Sequence, residues 1–537
     1  RVHGASTEGT GALLVTIEAR FSASKDEAPT EVHLTGLPDN VLRESRGRLL
    51  CILGATRLRL GPGRLYLHLT PAARRKSGEA LDLPLVIAAA VAGGHLSQAH
   101  VAGTVFVGEV GIDGRLHPTP GGLAAAVAAR ARGIRRVIAP VETAAEAAAI
   151  EDMSAYGAAS IEEVLQLLTT DPAEPGAAPP MAPTPFDPTA ARAPSSLDDV
   201  RGQEEGKLAL EVAAAGGHGL LLVGPPGAGK SMLARRLVDL LPEMTLDERI
   251  EVTSILSATG RWPRGLSSRR PFRAPHHTTS FAGLIGGGSP ITPGEITLAH
   301  RGVLFLDELP EFGRETLEGL RQPMEEGAVH IARAARRTTL PARFQLVAAM
   351  NPCPCGYHGH ARIPCHCPPA TVRRYQQRIS GPLLDRIEMR VSLQPAPVDV
   401  LVGSSNACSR EGAPQGRSTD DGSSLPEELR GARMGARVLA ARIAARRRHA
   451  NGGRPNAELE AEDLDEAAQL TPQARDLLRQ AAESQGLSAR AIQAIRRVAR
   501  TVADLAAASA DDGARDEADD VDESAVATAL ALRGGGL

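Results

Sequence analysis

The chain has 537 residues and a formal net charge of −3, with 42% hydrophobic and 23% charged residues. This length exceeds one hydrophobic core and predicts two to four domains. The near-neutral balance excludes a global electrostatic attraction to nucleic acid, and no apolar run approaches the roughly 18 residues that a membrane-spanning helix needs.

Residues 1–170 alternate short apolar strands with Ala-rich helices. The segments GALLVTIEARF and TEVHLTGLP have the pattern of strands, and LPLVIAAAVA and GGLAAAVAARARG that of helices. We therefore expect a first domain of mixed strands and helices. Residues 171–196 are dense in Pro and Ala, which predicts a semi-extended linker without a core of its own.

Residues 197–395 contain three strongly apolar strands, GLLLVG, GVLFLDEL and FQLVAAMN, separated by helical segments. Near-continuous apolar strands of this kind predict an α/β domain whose parallel sheet is buried on both faces. The polar residues 396–426 are predicted to form a flexible loop. Residues 427–537 are predicted to be helical, with ARMGARVLAARIAARRRHA and LSARAIQAIRRVARTVADLAAA as the clearest amphipathic runs.

The segment GLLLVGPPGAGKSMLARRL is a strand, a Gly-rich loop and a helix in succession. It matches the phosphate-loop pattern G-x-x-x-x-G-K-[ST], in which backbone N–H groups surround phosphate oxygens. Lys230 would contact the β and γ phosphates, and Ser231 would offer its hydroxyl to Mg²⁺. The predicted nucleotide-binding residues are Gly224, Pro225, Pro226, Gly227, Ala228, Gly229, Lys230, Ser231 and Asp307.

Two hairpins are predicted near this site. The insert PFRAPHHTTSFAGLIGGGSP carries His276 and His277, and AVHIARAARRTTLPARFQLV carries Arg333, Arg336 and Arg337. Arginines at a hairpin tip can follow DNA phosphates without reading sequence, but a solvated Arg-rich edge strand has the same pattern. The two histidines would either contact phosphate or form hydrogen bonds within the insert.

Acidic and polar side chains follow two of the apolar strands. Asp307 and Glu308 end GVLFLDEL, where the aspartate can hold the Mg²⁺ shell and the glutamate can polarise a water for attack on the γ-phosphate. Asn351 follows FQLVAAM and can reach the same water or phosphate. The chain lacks the H-R-D loop of a protein kinase, so that class is excluded.

Four of the six cysteines lie in MNPCPCGYHGHARIPCHCPP, namely Cys353, Cys355, Cys365 and Cys367. They could bind structural zinc, form a plain reduced-thiol loop or act as a redox switch. Two C-x-C pairs strain a single tetrahedron, and His358, His360 and His366 offer substitute ligands. Clustered cysteines without a visible secretory signal favour a cytoplasmic location.

The motifs GPPGAGKS, LFLDELPEF, AAMNPCPCGYHG and RISGPLLDRIE together resemble the AAA+ ATPases, specifically the magnesium-chelatase-like ComM/YifB family. The resemblance implies an AAA+ P-loop NTPase core with a C-terminal helical lid. It also implies that Asn351 is sensor 1, that Arg386 is an arginine finger for the neighbouring subunit, and that Arg490 is sensor 2. In the helicase branch of these proteins, hairpins at the two places above point into the pore of a ring.

The segment VFVGEVGIDGRLHPTPGGLAAAVAARARGIRRVIAP resembles the Lon-protease-like domain, which has an α+β ribosomal-S5-like fold. The Lon nucleophile motif falls on the stretch from Lys76 through Ser77 to Ala80, and the position of the catalytic lysine on Ala126. Since neither alanine can act as nucleophile or base, we expect no peptidase activity and an unactivated Ser77.

The resemblance predicts a cytoplasmic ring, a homo-oligomer that is a hexamer, using ATP and Mg²⁺ to move on single-stranded or branched DNA. Helicase or branch-migration activity in the integration of transforming DNA would follow, together with recombination proteins as partners. The alternatives are a chelatase-type metal-insertion or protein-remodelling ATPase with a separate partner subunit, a non-catalytic scaffold, and a protease.

Overall fold

The computed structural model describes most of the chain. The described residues are 1–24, 29–37, 39–72, 76, 79–170, 178–183, 197, 200–288, 291–333, 336–395, 427–448, 454–509 and 520–534. Ser77, most of the predicted linker and the whole predicted loop 396–426 lie outside them.

A mixed sheet occupies the N-terminal part of the chain. Its strands and the adjoining hairpin are β1 (Val2–Glu8), β2 (Gly11–Ala23), β3 (Glu31–Thr35), β4 (Gly63–Thr70), β5 (Thr104–Phe106), β6 (Glu109–Val110), β7 (Leu116–His117), β8 (Arg136–Pro140) and β9 (Ser154–Ala158). The helices are α1 (Asp39–Ala55), α2 (Asp82–Ala92), α3 (Gln98–Val101), α4 (Gly122–Ala131), α5 (Val141–Ala147) and α6 (Ile161–Thr169). Seven strands pair in the order β3-β4-β2-β1-β5-β8-β9, and β6 pairs with β7. All four strand and helix segments predicted here are present.

A second, parallel sheet follows. Its strands and the two hairpins beside it are β10 (Leu220–Val223), β11 (Phe272–Arg273), β12 (Gly286–Gly287), β13 (Thr292–Pro293), β14 (Val303–Leu306), β15 (Ala328–Arg333), β16 (Arg336–Pro341), β17 (Gln345–Met350) and β18 (Met389–Ser392). The helices are α7 (Glu204–Gly216), α8 (Lys230–Leu240), α9 (Leu246–Ala258), α10 (Phe281–Ile285), α11 (Glu295–Leu298), α12 (Arg314–Glu318), α13 (Arg321–Glu326), α14 (Pro369–Gln376) and α15 (Gly381–Leu384).

The strands of the parallel sheet run in the order β11-β14-β17-β10-β18. Alternate residues of one strand enter opposite cores: Leu220 and Leu222 pack with α7 and α8, whereas Leu221 packs with the residues around Leu304 and Leu346. Every residue of β10, β14 and β17 is buried. The predicted parallel sheet with two covered faces is thus confirmed, and its apolar strands have no solvent-facing side.

The C-terminal helices share a core with one face of this sheet. They are α16 (Glu427–Arg448), α17 (Ala461–Ala467), α18 (Pro472–Gln485), α19 (Ala489–Ala507) and α20 (Glu523–Arg533). Buried Val438 and Val498 join the core formed by Leu220 and Leu222. The buried imidazole of His218 contacts Glu388 and lies 2.7 Å from the Thr501 hydroxyl, which ties α19 to the sheet through satisfied polar groups.

Helix α9 contacts the start of α4 through the buried carboxyl group of Glu146, which lies on α5. The Ser257 hydroxyl donates to Glu146 at 2.5 Å and accepts from the Gly121 N–H at 3.1 Å, and the Leu123 N–H donates to the same Glu146 oxygen at 3.4 Å. Burial raises the pKa of Glu146 above its ordinary 4.5, although these hydrogen bonds oppose the rise. Burial at this contact therefore disfavours the charged form of Glu146 relative to the unfolded chain.

Replacing Glu146 with Gln is expected to raise the free energy of unfolding at neutral pH, because an amide keeps an acceptor for Ser257 without a buried charge. Because the pKa of Glu146 is raised in the folded protein, its carboxyl group stabilises the fold fully below the unfolded pKa of 4.5, and this stabilisation is lost as the pH rises through the folded pKa. The advantage of the Gln variant over wild type should therefore vanish in acid. Glu146→Ala should cost about 1–3 kcal/mol by leaving donors unsatisfied. Thermal unfolding across pH measures both; a gain that is independent of pH would contradict the pKa direction.

Part of the predicted linker lies against the first sheet. The Met181 N–H donates to the Ala155 carbonyl at 2.7 Å, and Met181 packs on the core beside β9. The described residues 178–183 thus contact the edge strand β9 at Met181, an arrangement that Pro/Ala composition alone does not reveal.

Candidate active site

The loop between β10 and α8 has the backbone geometry that its glycines predict. Gly227 and Gly229 have φ values of 80° and 83°, in the left-handed region that favours glycine. A Cβ at Gly224 would lie 2.7 Å from the Leu393 carbonyl oxygen, which only glycine avoids. Lys230 is the first residue of α8, so the helix N-terminus points at the loop.

Lys230 is the centre of the site. Its Nζ donates to the carbonyl oxygens of Gly224 and Pro225 at 2.7 and 3.0 Å, and to Asn351 Oδ1 at 2.9 Å. Burial lowers the pKa of Lys230, while Asp307 and Glu308 act in the opposite direction. Three neutral oxygens thus hold the ammonium group, and phosphate oxygens would be stronger acceptors for it.

Register explains why residues distant in sequence meet here. Val223, at the end of β10, is paired with Met350 of β17, so Asn351 emerges beside the loop. Strand β14 lies on the other side of β17, with Leu306 paired to Ala348, which brings Asp307 to the same edge. Because all these strands are parallel, their carboxyl ends form one row.

The Ser231 hydroxyl donates to Asp307 Oδ2 at 2.7 Å, so the two predicted Mg²⁺ residues are in direct contact. The other Asp307 oxygen accepts from the Glu308 N–H at 3.0 Å. Glu308 has φ of 53°, an uncommon value for a residue other than glycine, and its side chain is 56% exposed. Hydroxyl and carboxylate oxygens are suitable Mg²⁺ ligands, and the Glu308 carboxylate remains accessible to a water.

His277 contacts Glu308, which sequence reasoning missed. Its Nδ1 lies 3.1 Å from Glu308 Oε2. The centroid of its ring lies 4.1 Å from that of His276, with the two rings tilted by 34°, and the ring meets Phe312 edge-on. His276 in turn lies 2.9 Å from the Thr278 hydroxyl. In this structure both histidines bond to protein groups, and contact of either with DNA stays a prediction.

Arg386 and Arg490 converge on one carboxylate. Arg386 donates to Glu325 Oε1 at 2.7 Å, and Arg490 bonds to the same oxygen. The sequence separates these two residues by more than a hundred positions and marks Glu325 by no motif. The structure therefore places the predicted finger and sensor 2 side by side on one surface of the chain.

The four clustered cysteines also converge. The sulfur of Cys353 lies 3.3 Å from that of Cys355 and 3.7 Å from that of Cys365, and all four sulfurs are within 4.8 Å of one another. Backbone N–H groups of Tyr357 and His366 lower the pKa of Cys355 to about 6. Both C-x-C pairs thus point to one centre. From the sequence, two such pairs are expected to strain a single tetrahedral site.

The hairpin predicted over the insert from Pro271 is wrong for most of its length, because its first part forms β11 of the parallel sheet and helix α10, and only its end enters the short hairpin β12–β13. That short hairpin lies next to the second predicted hairpin. A Cβ at Gly286 in β12 would come within 3.4 Å of Ile331 in β15. In the second hairpin Arg333 pairs with Arg336, and Arg337 with Ala332, so all three arginines are at its turn. The side chains of these arginines lie outside the described residues. The backbone pairing of β15 with β16 thus shows a hairpin in the second predicted segment.

Family comparisons agree with this arrangement. Family models described as subunit ChlI of magnesium chelatase match residues 21–143 and 196–401, and the model for its C-terminal part matches 429–533. The chain is 36% identical over 512 residues to the uncharacterized protein YifB of Salmonella typhimurium and to the competence protein ComM of Haemophilus influenzae, covering 94% of this chain and 93% of each relative. The chain belongs to the ComM/YifB family.

Membership of the ComM/YifB family confirms the resemblance found in the motifs. It places the chain among magnesium-chelatase-like AAA+ proteins, a class of ATPases. A more distant similarity, 27% identity over 180 residues, links 33% of this chain to 22% of the rice DNA replication licensing factor MCM7. Within the described ranges, no helix is both long and apolar enough to cross a membrane.

Proposed function

We propose that this ComM/YifB-family protein hydrolyses ATP with Mg²⁺ and uses the energy to move on DNA. The observation that supports it best is the direct bonding of Lys230 to Asn351 and of Ser231 to Asp307 around one glycine-rich loop. Lys230 and Asn351 would bind the γ-phosphate, Ser231 and Asp307 the magnesium shell, and Glu308 the attacking water. The Ser231–Asp307 bond already brings two Mg²⁺ donors together.

The proposed working form is a hexameric ring with ATP between subunits. Arg386 and Arg490 share Glu325 in one chain, so a single surface can present both guanidinium groups to a neighbour's phosphates. Glu325 would keep them paired until that neighbour arrives. Hydrolysis would then require assembly of the ring, because the phosphate-loop residues do not supply the positive charge that an arginine finger brings to the γ-phosphate.

The proposed substrate is single-stranded or branched DNA, as in helicase or branch-migration activity during integration of transforming DNA. Support comes from the adjoining hairpins with Arg333, Arg336 and Arg337 at one turn, and from the names of the ComM and MCM7 relatives. Phosphate contacts by arginine depend on salt but not on sequence. Recombination proteins are the proposed partners.

The test is DNA binding as a function of salt, together with ATP turnover with and without DNA. Replacing Arg333, Arg336 and Arg337 with Ala should lower the slope of log affinity against log salt by about 2–3, since each lost phosphate contact removes roughly one. A matched control replaces exposed Arg64 and Arg479, which pair with Glu31 and Asp476 elsewhere. An unchanged slope in the triple variant would reject the hairpin as a DNA contact.

The alternative function is metal insertion or protein remodelling with a separate partner subunit. It is favoured by the matched family models, which are described by the ChlI subunit of magnesium chelatase. An ATP turnover rate that is the same with and without DNA at every salt concentration would favour this alternative.

The proposal extends to the remaining parts of the chain. The N-terminal sheet is proposed as a ribosomal-S5-like domain without peptidase activity, because buried Ala80 and Ala126 stand where the Lon resemblance places nucleophile and base. The proposed structural metal is Zn²⁺ at the four clustered cysteines, and the proposed location is the cytoplasm.

A further inference from the structure

We propose that Zn²⁺ bound by Cys353, Cys355, Cys365 and Cys367 braces the phosphate loop, so that losing the metal weakens ATP binding. The inference rests on the proposed ATP site, because it assigns to the cysteine loop a role in forming that site. Four features of the cysteine loop support the proposal: the geometry of its sulfurs, the backbone donors to them, its small number of buried residues, and its closeness to Pro226.

The sulfur positions suit a tetrahedral ion. Thiolates bound to zinc at about 2.3 Å are separated by about 3.8 Å along each edge of the tetrahedron. Three of the observed separations are 3.3, 3.7 and 3.5 Å, and the whole set stays within 4.8 Å. None of the four is in a disulfide. A shared metal is the chemistry that this spacing fits.

Backbone N–H groups donate to two of the sulfurs. The His358 N–H donates to the Cys353 sulfur at 3.3 Å, and the Cys367 N–H donates to the Cys365 sulfur at 3.4 Å. Such outer donors orient ligands and stabilise their charge. The ring nitrogen of His360 instead accepts from the backbone of Arg362 and Ile363, so this histidine is used by the loop itself.

The loop has almost no apolar core. From Asn351 to Ala370 only Cys353 and Gly356 are buried. Ordering a segment of this length costs roughly 1–2 kcal/mol per residue in backbone entropy, which two buried residues do not offset. A metal bond to four points of the loop does offset it, as in small domains whose folding requires zinc.

Gly356 joins the cysteine loop to the phosphate loop. Its N–H donates to the Cys353 carbonyl at 2.9 Å, and a Cβ at Gly356 would lie only 2.6 Å from Pro226 Cδ and 2.9 Å from Pro226 Cγ. Cys353 also follows Asn351 by two residues. The metal would therefore hold Pro226 of the phosphate loop and Asn351 in place together.

The first experiment measures zinc and nucleotide affinity on the purified full chain. We expect one zinc per chain by elemental analysis in wild type and in Cys51→Ser, whose cysteine is exposed and solitary. Cys365→Ser should lose the zinc and bind a fluorescent non-hydrolysable ATP analogue about tenfold more weakly. If wild-type protein from cells grown with zinc contained no zinc after purification, the proposed metal site would be overturned.

The second experiment separates the brace from folding. Gly356→Ala keeps all four sulfurs but places a methyl group against Pro226, at φ of 87°; Gly359→Ala imposes similar backbone strain at φ of 75° with no atom within 4 Å. We expect zinc in both, and about tenfold weaker nucleotide binding in Gly356→Ala alone.

The outcomes distinguish the two proposals. Equal nucleotide affinity in Gly356→Ala and Gly359→Ala would overturn the brace and leave the ATPase proposal intact. A wild type that holds zinc yet binds no nucleotide would reject the proposed ATP site itself, and the brace with it. Weaker binding in Gly356→Ala with zinc retained would support the brace.

Discussion

Replacing Arg386 with Ala is expected to lower ATP turnover by about 10³–10⁵-fold, the range that an arginine finger contributes to phosphoryl transfer. The guanidinium would neutralise charge that develops on the neighbour's γ-phosphate, whereas binding of ATP would use the phosphate loop of that neighbour. Turnover should therefore fall while affinity for a non-hydrolysable ATP analogue changes little. Steady-state turnover and analogue titration measure the two effects.

Two comparisons make this result specific. Arg378, which pairs with Glu311 at 2.7 Å, is the matched control, and Arg378→Ala should keep turnover within a few-fold of wild type. An equal mixture of the Arg386→Ala and Glu308→Gln variants should restore about a quarter of the sites. In a head-to-tail ring, an intact Glu308 then meets an intact Arg386 of the neighbouring subunit at one interface in four. No recovery in mixtures that exchange subunits would reject action between subunits.

Replacing Glu308 with Gln should lower turnover by about 10²–10⁴-fold, the usual contribution of a general base. The amide keeps the size of the side chain and cannot accept the proton of the attacking water. ATP binding should be retained because Lys230 and Ser231, which are proposed to bind the phosphates and Mg²⁺, are unchanged. Single-turnover hydrolysis with radiolabelled ATP, beside analogue binding, separates the chemical step from affinity.

The control for this variant is Glu311→Gln, which removes a nearby carboxylate that pairs with Arg378 instead of facing the site. It should hydrolyse ATP within a few-fold of wild type. If Glu308→Gln hydrolysed ATP at the wild-type rate, the base would be another residue. His277 would then be the next candidate, since it contacts the same carboxylate.

Much of the geometry of the candidate phosphate site was predictable because its parts are local or follow one simple rule. The loop from Gly224 to Ser231 is a continuous stretch in which two glycines must adopt left-handed backbone. Asp307 and Asn351 follow apolar strands, and parallel strands end at one edge of their sheet. Their meeting with Lys230 and Ser231 thus follows once the three strands are neighbours in one parallel sheet.

The contacts of Glu325, His277 and Gly356 were not predictable. Glu325 lies on α13, and only the packing of the C-terminal helices brings Arg490 to it. His277 belongs to an insert whose path depends on the sheet beneath it. Gly356 has an ordinary turn signature, and its closeness to Pro226 depends on how the whole cysteine loop is seated.

The amino-acid sequence by itself determined the ComM/YifB family, the parallel sheet and the row of polar residues that follow its strands, because apolar segments and glycine-dependent turns act over a few neighbours. Only the tertiary structure decided that two C-x-C pairs share one centre, that Arg386 and Arg490 share one carboxylate, and that Glu146 bonds to Ser257. Those contacts join residues that are 10 to 165 positions apart. Their geometry is set by how helices and loops pack on the sheets, which no local pattern encodes.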